Sequence, residues 1–168
     1  MDSIAGITEK MIAYSRGNLH DIHHWLKVWG YARTIGMQEG LSPDEQFVLE
    51  VAAITHDIAC PALREKYGNT NHVLQETEGA PMVRTFLADT GMPDAWIERV
   101  AFLVGHHHTL ENVDGRDWQI LLEADYLVNA GEKGYSREAV MNFLNAHVRT
   151  ESGKRITRLV FALPEEER

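Results

Sequence analysis

A chain of 168 residues that is 44% apolar and 24% charged is long enough for one domain with a sizeable core, and its composition is that of an ordinary globular protein. A net charge of −9 excludes the clustered basic surface needed for non-specific binding to nucleic-acid polymers or anionic membranes, though not a small phosphorylated substrate held by a metal and a few basic side chains. The lone Cys60 excludes an internal disulfide and a cysteine-based zinc site; with no signal-peptide pattern and no apolar run of bilayer length, the expected location is cytoplasmic.

The pattern then reads as helix after helix. Asn18 or Asp21 caps a helix running to about Gly36, which breaks at Gly40 and Leu41-Ser42-Pro43. Ser42 followed by Pro43, with Glu45 in support, is a helix start. That helix carries Phe47, Val48, Val51, Ala52 and Thr55 at helical spacing and delivers His56 and Asp57 at its C-terminal end, where Pro61 closes the segment. A short piece around Ala62 to Tyr67 stops at Gly68-Asn69. The next helix covers Asn71 to Asp89, with a kink or a close helix contact at Gly79-Ala80-Pro81. After a turn at Gly91 to Asp94, a helix runs from Ala95 to about His106, and Asn112 to Asp117 is a loop. Trp118 to Ala130 is apolar nearly all round, the mark of a central buried helix. Ser136 starts another helix, and Ser152 to Leu163 forms a last one. No period-two strand is present. The expected fold is all-α: a single compact helical bundle over residues 1–168, without a linker.

Nine histidines invite a search for metal ligands. His20, His23 and His24 form one cluster, and His106, His107 and His108 a second. His24 shares its stripe with Val28, Tyr31 and Ile35, so its imidazole should face the core. His20, one turn earlier, is the next candidate, while His23 lies off that face. His56 and Asp57 stand side by side at the end of a core helix. Asp125 shares a stripe with Leu121 and Val128 in the most apolar helix, and a buried carboxylate there needs a partner or a metal. Glu123 faces towards Ile120 and Leu127, to pair with a base or orient a ligand. The plainer readings take His23, His108 and His147 as surface or hydrogen-bonded core residues, Trp25 and Trp29 as core, and Glu165 to Glu167 as a solvated end.

The order of these residues, H…HD…D across helices, resembles the HD-domain superfamily of metal-dependent phosphohydrolases. "HHWLKVWGYARTIG" looks like that family's first helix, "VAAITHDIA" like the helix that gives the superfamily its name, and "VAFLVGHHH" with "LLEADYLVN" like its later segment. The resemblance spans about residues 20–130; residues 135–168 lie outside it and receive no assignment. It implies one divalent metal ion (Mn, Fe, Co, Ni, Zn or Mg) held by His24, His56, Asp57 and Asp125, with Asp57 also directing the water that attacks phosphorus. Some members hold a second metal. His106 and His107 match the later of its two ligand positions, and the earlier falls on His72 or Glu76; because neither fits it well, a mononuclear centre is favoured. His106, His107, His72 and Glu76 then support the ligands, touch substrate or hold that second ion. Lys27 and Arg64 are candidates for binding the substrate's phosphate. No Gly-Tyr-Pro follows the paired histidines, unlike the cyclic-di-GMP branch.

The implied activity is hydrolysis of a small phosphorylated metabolite or nucleotide. Two alternatives follow from the same resemblance: a di-iron oxygenase of this fold, and a noncatalytic metal-binding sensor. Ile156, Leu159, Val160 and Leu163 along one face of the last helix leave room for a homodimer contact.

Overall fold

A computed structural model describes residues 1–164, so Glu165, Glu166 and Glu167 lie outside the described residues. Among those described there are nine helices and no strand, the all-α architecture that the sequence predicts. Helix α1, Ile4–Tyr14, lies ahead of the first predicted helix. Ser3 caps it by accepting from the Gly6 amide, and it buries Ile7 and Met11, each worth about 1.5–3 kcal/mol of apolar burial.

Helix α2, Leu19–Gln38, is capped by the Asn18 side chain and buries Ile22, Trp25, Val28, Ala32 and Ile35 on the face that carries His24. Helix α3, Pro43–Thr55, starts with a full capping box: Ser42 accepts from the Glu45 amide, and the Glu45 carboxylate accepts from the Ser42 amide. From Val48 to Thr55 every residue of α3 is buried, because α1, α2, α6 and α7 all pack around it. The short α4, Cys60–Tyr67, ends at Gly68.

Helices α5, His72–Leu87, and α6, Asp94–Val104, pack closely together. Gly79 is the close contact that the sequence suggests, since a Cβ there would come within 2.9 Å of Val104 Cγ1. Helix α7, Arg116–Glu132, is buried over most of its length between α2 and α3. The unassigned C-terminal stretch folds back as α8, Arg137–His147, and α9, Glu151–Val160, with α9 against α7 and α2. The face of α9 that turns inward is small and polar (Ser152, Gly153, Thr157). It leaves Leu159 74% and Val160 43% exposed, whereas Leu163 is buried beyond the helix end.

Candidate metal centre

Three backbone segments bring histidine to one point beside α7. His24 sits in the second turn of α2, His56 and Asp57 follow the last turn of α3, and His107 and His108 lie in the turn after α6. Asp125 projects from the middle of α7. His24, His56, His107 and Asp125 are all buried. His24 Nε2 lies 3.3 Å from His56 Nε2, 3.3 Å from Asp125 Oδ1 and 3.4 Å from Asp57 Oδ2. His56 Nε2 lies 3.5 Å from Asp125 Oδ1 and 3.6 Å from Asp57 Oδ2. The other Asp57 oxygen, Oδ1, is 3.5 Å from His107 Nε2, and His108 Nδ1 is 4.0 Å from Asp125 Oδ2.

The protons on these rings decide what the cluster is for. His56 Nδ1 donates to the Ala53 carbonyl at 2.8 Å and His107 Nδ1 to the Val104 carbonyl at 2.7 Å. His24 Nδ1 lies 2.9 Å from the Glu132 carboxylate. Each neutral ring therefore spends its proton outward and turns an Nε2 lone pair inward, where it meets carboxylate oxygens that also only accept. His107 Nε2 is fully buried with no hydrogen-bond partner. A convergence of acceptors without donors is costly unless a cation sits among them. Ligand atoms bound ~2.1 Å from one ion stand about 3–3.5 Å apart, close to the spacings here. The residues fit a metal in two groupings, His24–His56–Asp57 and Asp57–His107–His108, with Asp57 common to both and Asp125 beside the first.

Without a cation, the ionised carboxylates favour a proton on His24 instead. Burial opposes charge on His24, but Asp125 and Asp57 overcome it and hold its pKa up at about 9. Burial would also raise Asp57 and Asp125; neighbouring imidazoles reverse this, chiefly His56 and His107 at Asp57 and His24 and His56 at Asp125, and keep both carboxyls well below the usual range. His108 goes the other way, with burial and then His107 pushing it down to about 3.

Around the cluster is a cavity of about 170 Å³ whose wall includes His24, Asp57, Arg64, His72, His108 and Asp125. Asn129 Nδ2 donates to Asp125 Oδ1 at 2.8 Å and fixes that carboxylate. Lys27 and Arg64, the phosphate candidates, are each engaged: Lys27 with Glu132, and Arg64 with Asp21. His20 stands exposed at the mouth beside Asp21.

The structure thus brings His24, His56, Asp57, Asp125 and His107 together and keeps His106 away. The His106 ring stacks on Phe102, its Nδ1 donates to the Phe102 carbonyl, and it lines a different cleft. His108, read from the sequence as an ordinary histidine, takes its place: its backbone N–H donates to Glu76 Oε1, its Nε2 is 2.8 Å from Gln75 Oε1, and its Nδ1 faces Asp125. Glu76 accordingly fixes the turn rather than reaching the cluster, and His72 stacks on His108 at the cavity wall. Glu123 neither pairs with a base nor orients a ligand. It accepts from the Arg149 and Thr150 amides, the Thr150 hydroxyl and Gln119.

Comparisons with known proteins agree with this geometry. The HD domain family matches residues 21–154, which extends past the end expected near residue 130 into α9. A crystal structure of a predicted HD superfamily hydrolase from an uncultured Thermotogales bacterium superposes with a TM-score of 0.70. The two are 20% identical, over 93% of this chain and 83% of that one. No curated protein matches. With a histidine- and aspartate-rich cluster that could hold a metal ion, and a family match over most of its length, the chain belongs to the HD-domain family of metal-dependent hydrolases.

Proposed function

We propose that the protein is a phosphohydrolase that cleaves a small phosphorylated metabolite or nucleotide. The observation that carries this is the inward convergence of the His24, His56 and His107 lone pairs on Asp57 and Asp125 beside a cavity. A divalent ion bound there would polarise a phosphoryl oxygen and acidify water at neutral pH. The chain's own residues do the rest. Glu132, itself paired with Lys27, keeps the His24 ring in one orientation, and Asn129 does the same for Asp125. Asp57, with one oxygen towards each histidine pair, aligns the attacking water with the phosphorus. In the balanced step, the water oxygen forms a bond to phosphorus, the P–O bond to the organic group breaks, and the proton from water ends on the departing alcohol. This reading places the protein in the cytoplasm, which suits its single buried thiol.

The test is Asp57→Ala in protein loaded with Mn or Fe. We expect release of inorganic phosphate from phosphomonoesters to vanish while the circular-dichroism spectrum stays helical; full activity in that variant overturns the assigned site. A second reading has an observation of its own, because Asp57, His107 and His108 supply ligands for a second ion, which a di-iron oxygenase requires. Two irons per chain with consumption of O₂, and no phosphate release, would establish it.

A further inference from the structure

Beside the metal cavity runs a second space of a different character. It measures about 300 Å³, lies between α7, α8 and the loop after His108, and is walled by Leu110, Leu122, Tyr126, Tyr135 and Phe143. The two spaces share His72, His108, Asp125, Asn129 and Lys133 in their walls, so they lie side by side. The Tyr126 and Phe143 rings lie parallel at 3.4 Å, and the Tyr126 hydroxyl donates to the Ala139 carbonyl, which fixes its orientation. At the junction stands Lys133. It caps α7, its amide bonded to the Asn129 carbonyl, and Gly134 (φ +63°) turns the chain so that Tyr135 closes the reversal onto Ala130. Lys27 and Arg64 are both held by carboxylates, whereas Lys133 has no acidic partner among the described residues.

We propose that the aromatic cleft binds the organic half of the substrate and Lys133 the phosphoryl group, so that the preferred substrate is a phosphomonoester of an alcohol carrying a flat apolar ring. This rests on the phosphohydrolase reading and deepens it. The physical case is the pairing of environments. The cavity over Asp57 and Asp125 suits an anion bound through metal, while the cleft offers apolar ring faces that gain by covering another ring. Lys133, unpaired and lining both spaces, stands where a phosphate ester joins its two halves.

The experiment compares 2-phenylethyl phosphate with ethyl phosphate, two esters of primary alcohols that differ by the ring and leave with similar ease. Using the full, metal-loaded chain, we expect kcat/KM to favour the phenylethyl ester about tenfold or more. Tyr135→Ala and Phe143→Ala should shrink that ratio to about threefold or less. Lys133→Ala should raise KM for both esters by a similar factor, leaving the ratio standing. Equal kcat/KM for the two esters in the unaltered protein overturns the cleft assignment and leaves the phosphohydrolase reading intact. Release of phosphate from neither ester counts against that reading instead. The cleft is then judged by calorimetry with 2-phenylethylphosphonate and ethylphosphonate: tighter binding of the former supports it, and equal affinity overturns it.

Discussion

Glu123 and Asp125 stand two residues apart on α7, both buried, and the molecule uses them in opposite ways. Glu123 is surrounded by donors: two backbone amides, a hydroxyl and an amide side chain. Its carboxylate ties the start of α9 to the centre of the bundle, and burial outweighs those hydrogen bonds to leave its pKa raised. Asp125 is surrounded instead by the Nε2 atoms of His24 and His56, with Asn129 as its amide donor; without metal, a proton carried by those imidazoles outweighs burial and depresses its pKa. Glu50 on α3 follows the first pattern, with Arg33, Trp29 and Gln46 donating to it. A buried acid facing donors holds the fold together; a buried acid facing other acceptors waits for a cation.

That contrast predicts a crossed pair of outcomes. Asp125→Asn keeps the shape of the side chain but removes the charge. We expect phosphate release to fall about a thousandfold or more and metal per chain to drop, while the melting temperature in chelator at neutral pH falls by only a few degrees. Glu123→Ala should do the reverse. It strands the Arg149 and Thr150 amides, costing about 3 kcal/mol or more, yet the folded fraction should keep its metal. Elemental analysis beside thermal melts reads both. Equal metal loss in the two variants would erase the distinction.

A smaller effect sharpens the same contrast from the α9 side. A Cβ at Gly153 would fall 2.0 Å from Glu123 Oε2 and 2.5 Å from Thr150 Oγ1. Gly153→Ala should therefore cost about 2–3 kcal/mol in denaturant unfolding, and distinctly less when Glu123 is already alanine. Simple additivity of the two substitutions would mean that Gly153 is small for another reason.

The two kinds of acid were not equally legible. Helical stripes find His24 and Asp125, because each lies within a regular helix whose inward face is set by neighbouring apolar residues. Ser42, Pro43 and Glu45 announce the start of α3 in the same local way. The triplet His106 to His108 defeats that logic: it lies in a turn, where successive side chains point in directions that no period predicts, so the stripe gives no means of choosing among them. The roles of Glu123, Lys27 and Arg64 depend on partners distant in sequence (Thr150, Glu132 and Asp21) and become visible only after folding. Helix α1 was missed because its buried face amounts to Ile7 and Met11. The exposed Lys133 gains meaning only from the two spaces it borders.

The smallest expected effect is the proton that Asp125 attracts when no metal is bound. In chelator, the folded protein holds His24 at a pKa of about 9, against an ordinary value of 6.5. Between those values the folded state binds more protons than the unfolded chain. The resulting stabilisation is complete below pH 6.5 and is lost as pH rises through about 9. We expect about 1–2 kcal/mol, since the cavity admits water that screens the pair. Metal requires the lone pair that this proton would occupy, so the fall should vanish in metal-loaded protein, where ligand deprotonation makes binding stronger as pH rises. Melts from pH 6 to 9.5, with and without chelator, measure the difference. Asp125→Asn should flatten the chelator curve over that range and Glu123→Gln should leave it sloping, because only the acid that faces imidazoles shares their proton. A flat curve in the unaltered protein would place that proton outside the His24–Asp57–Asp125 cluster.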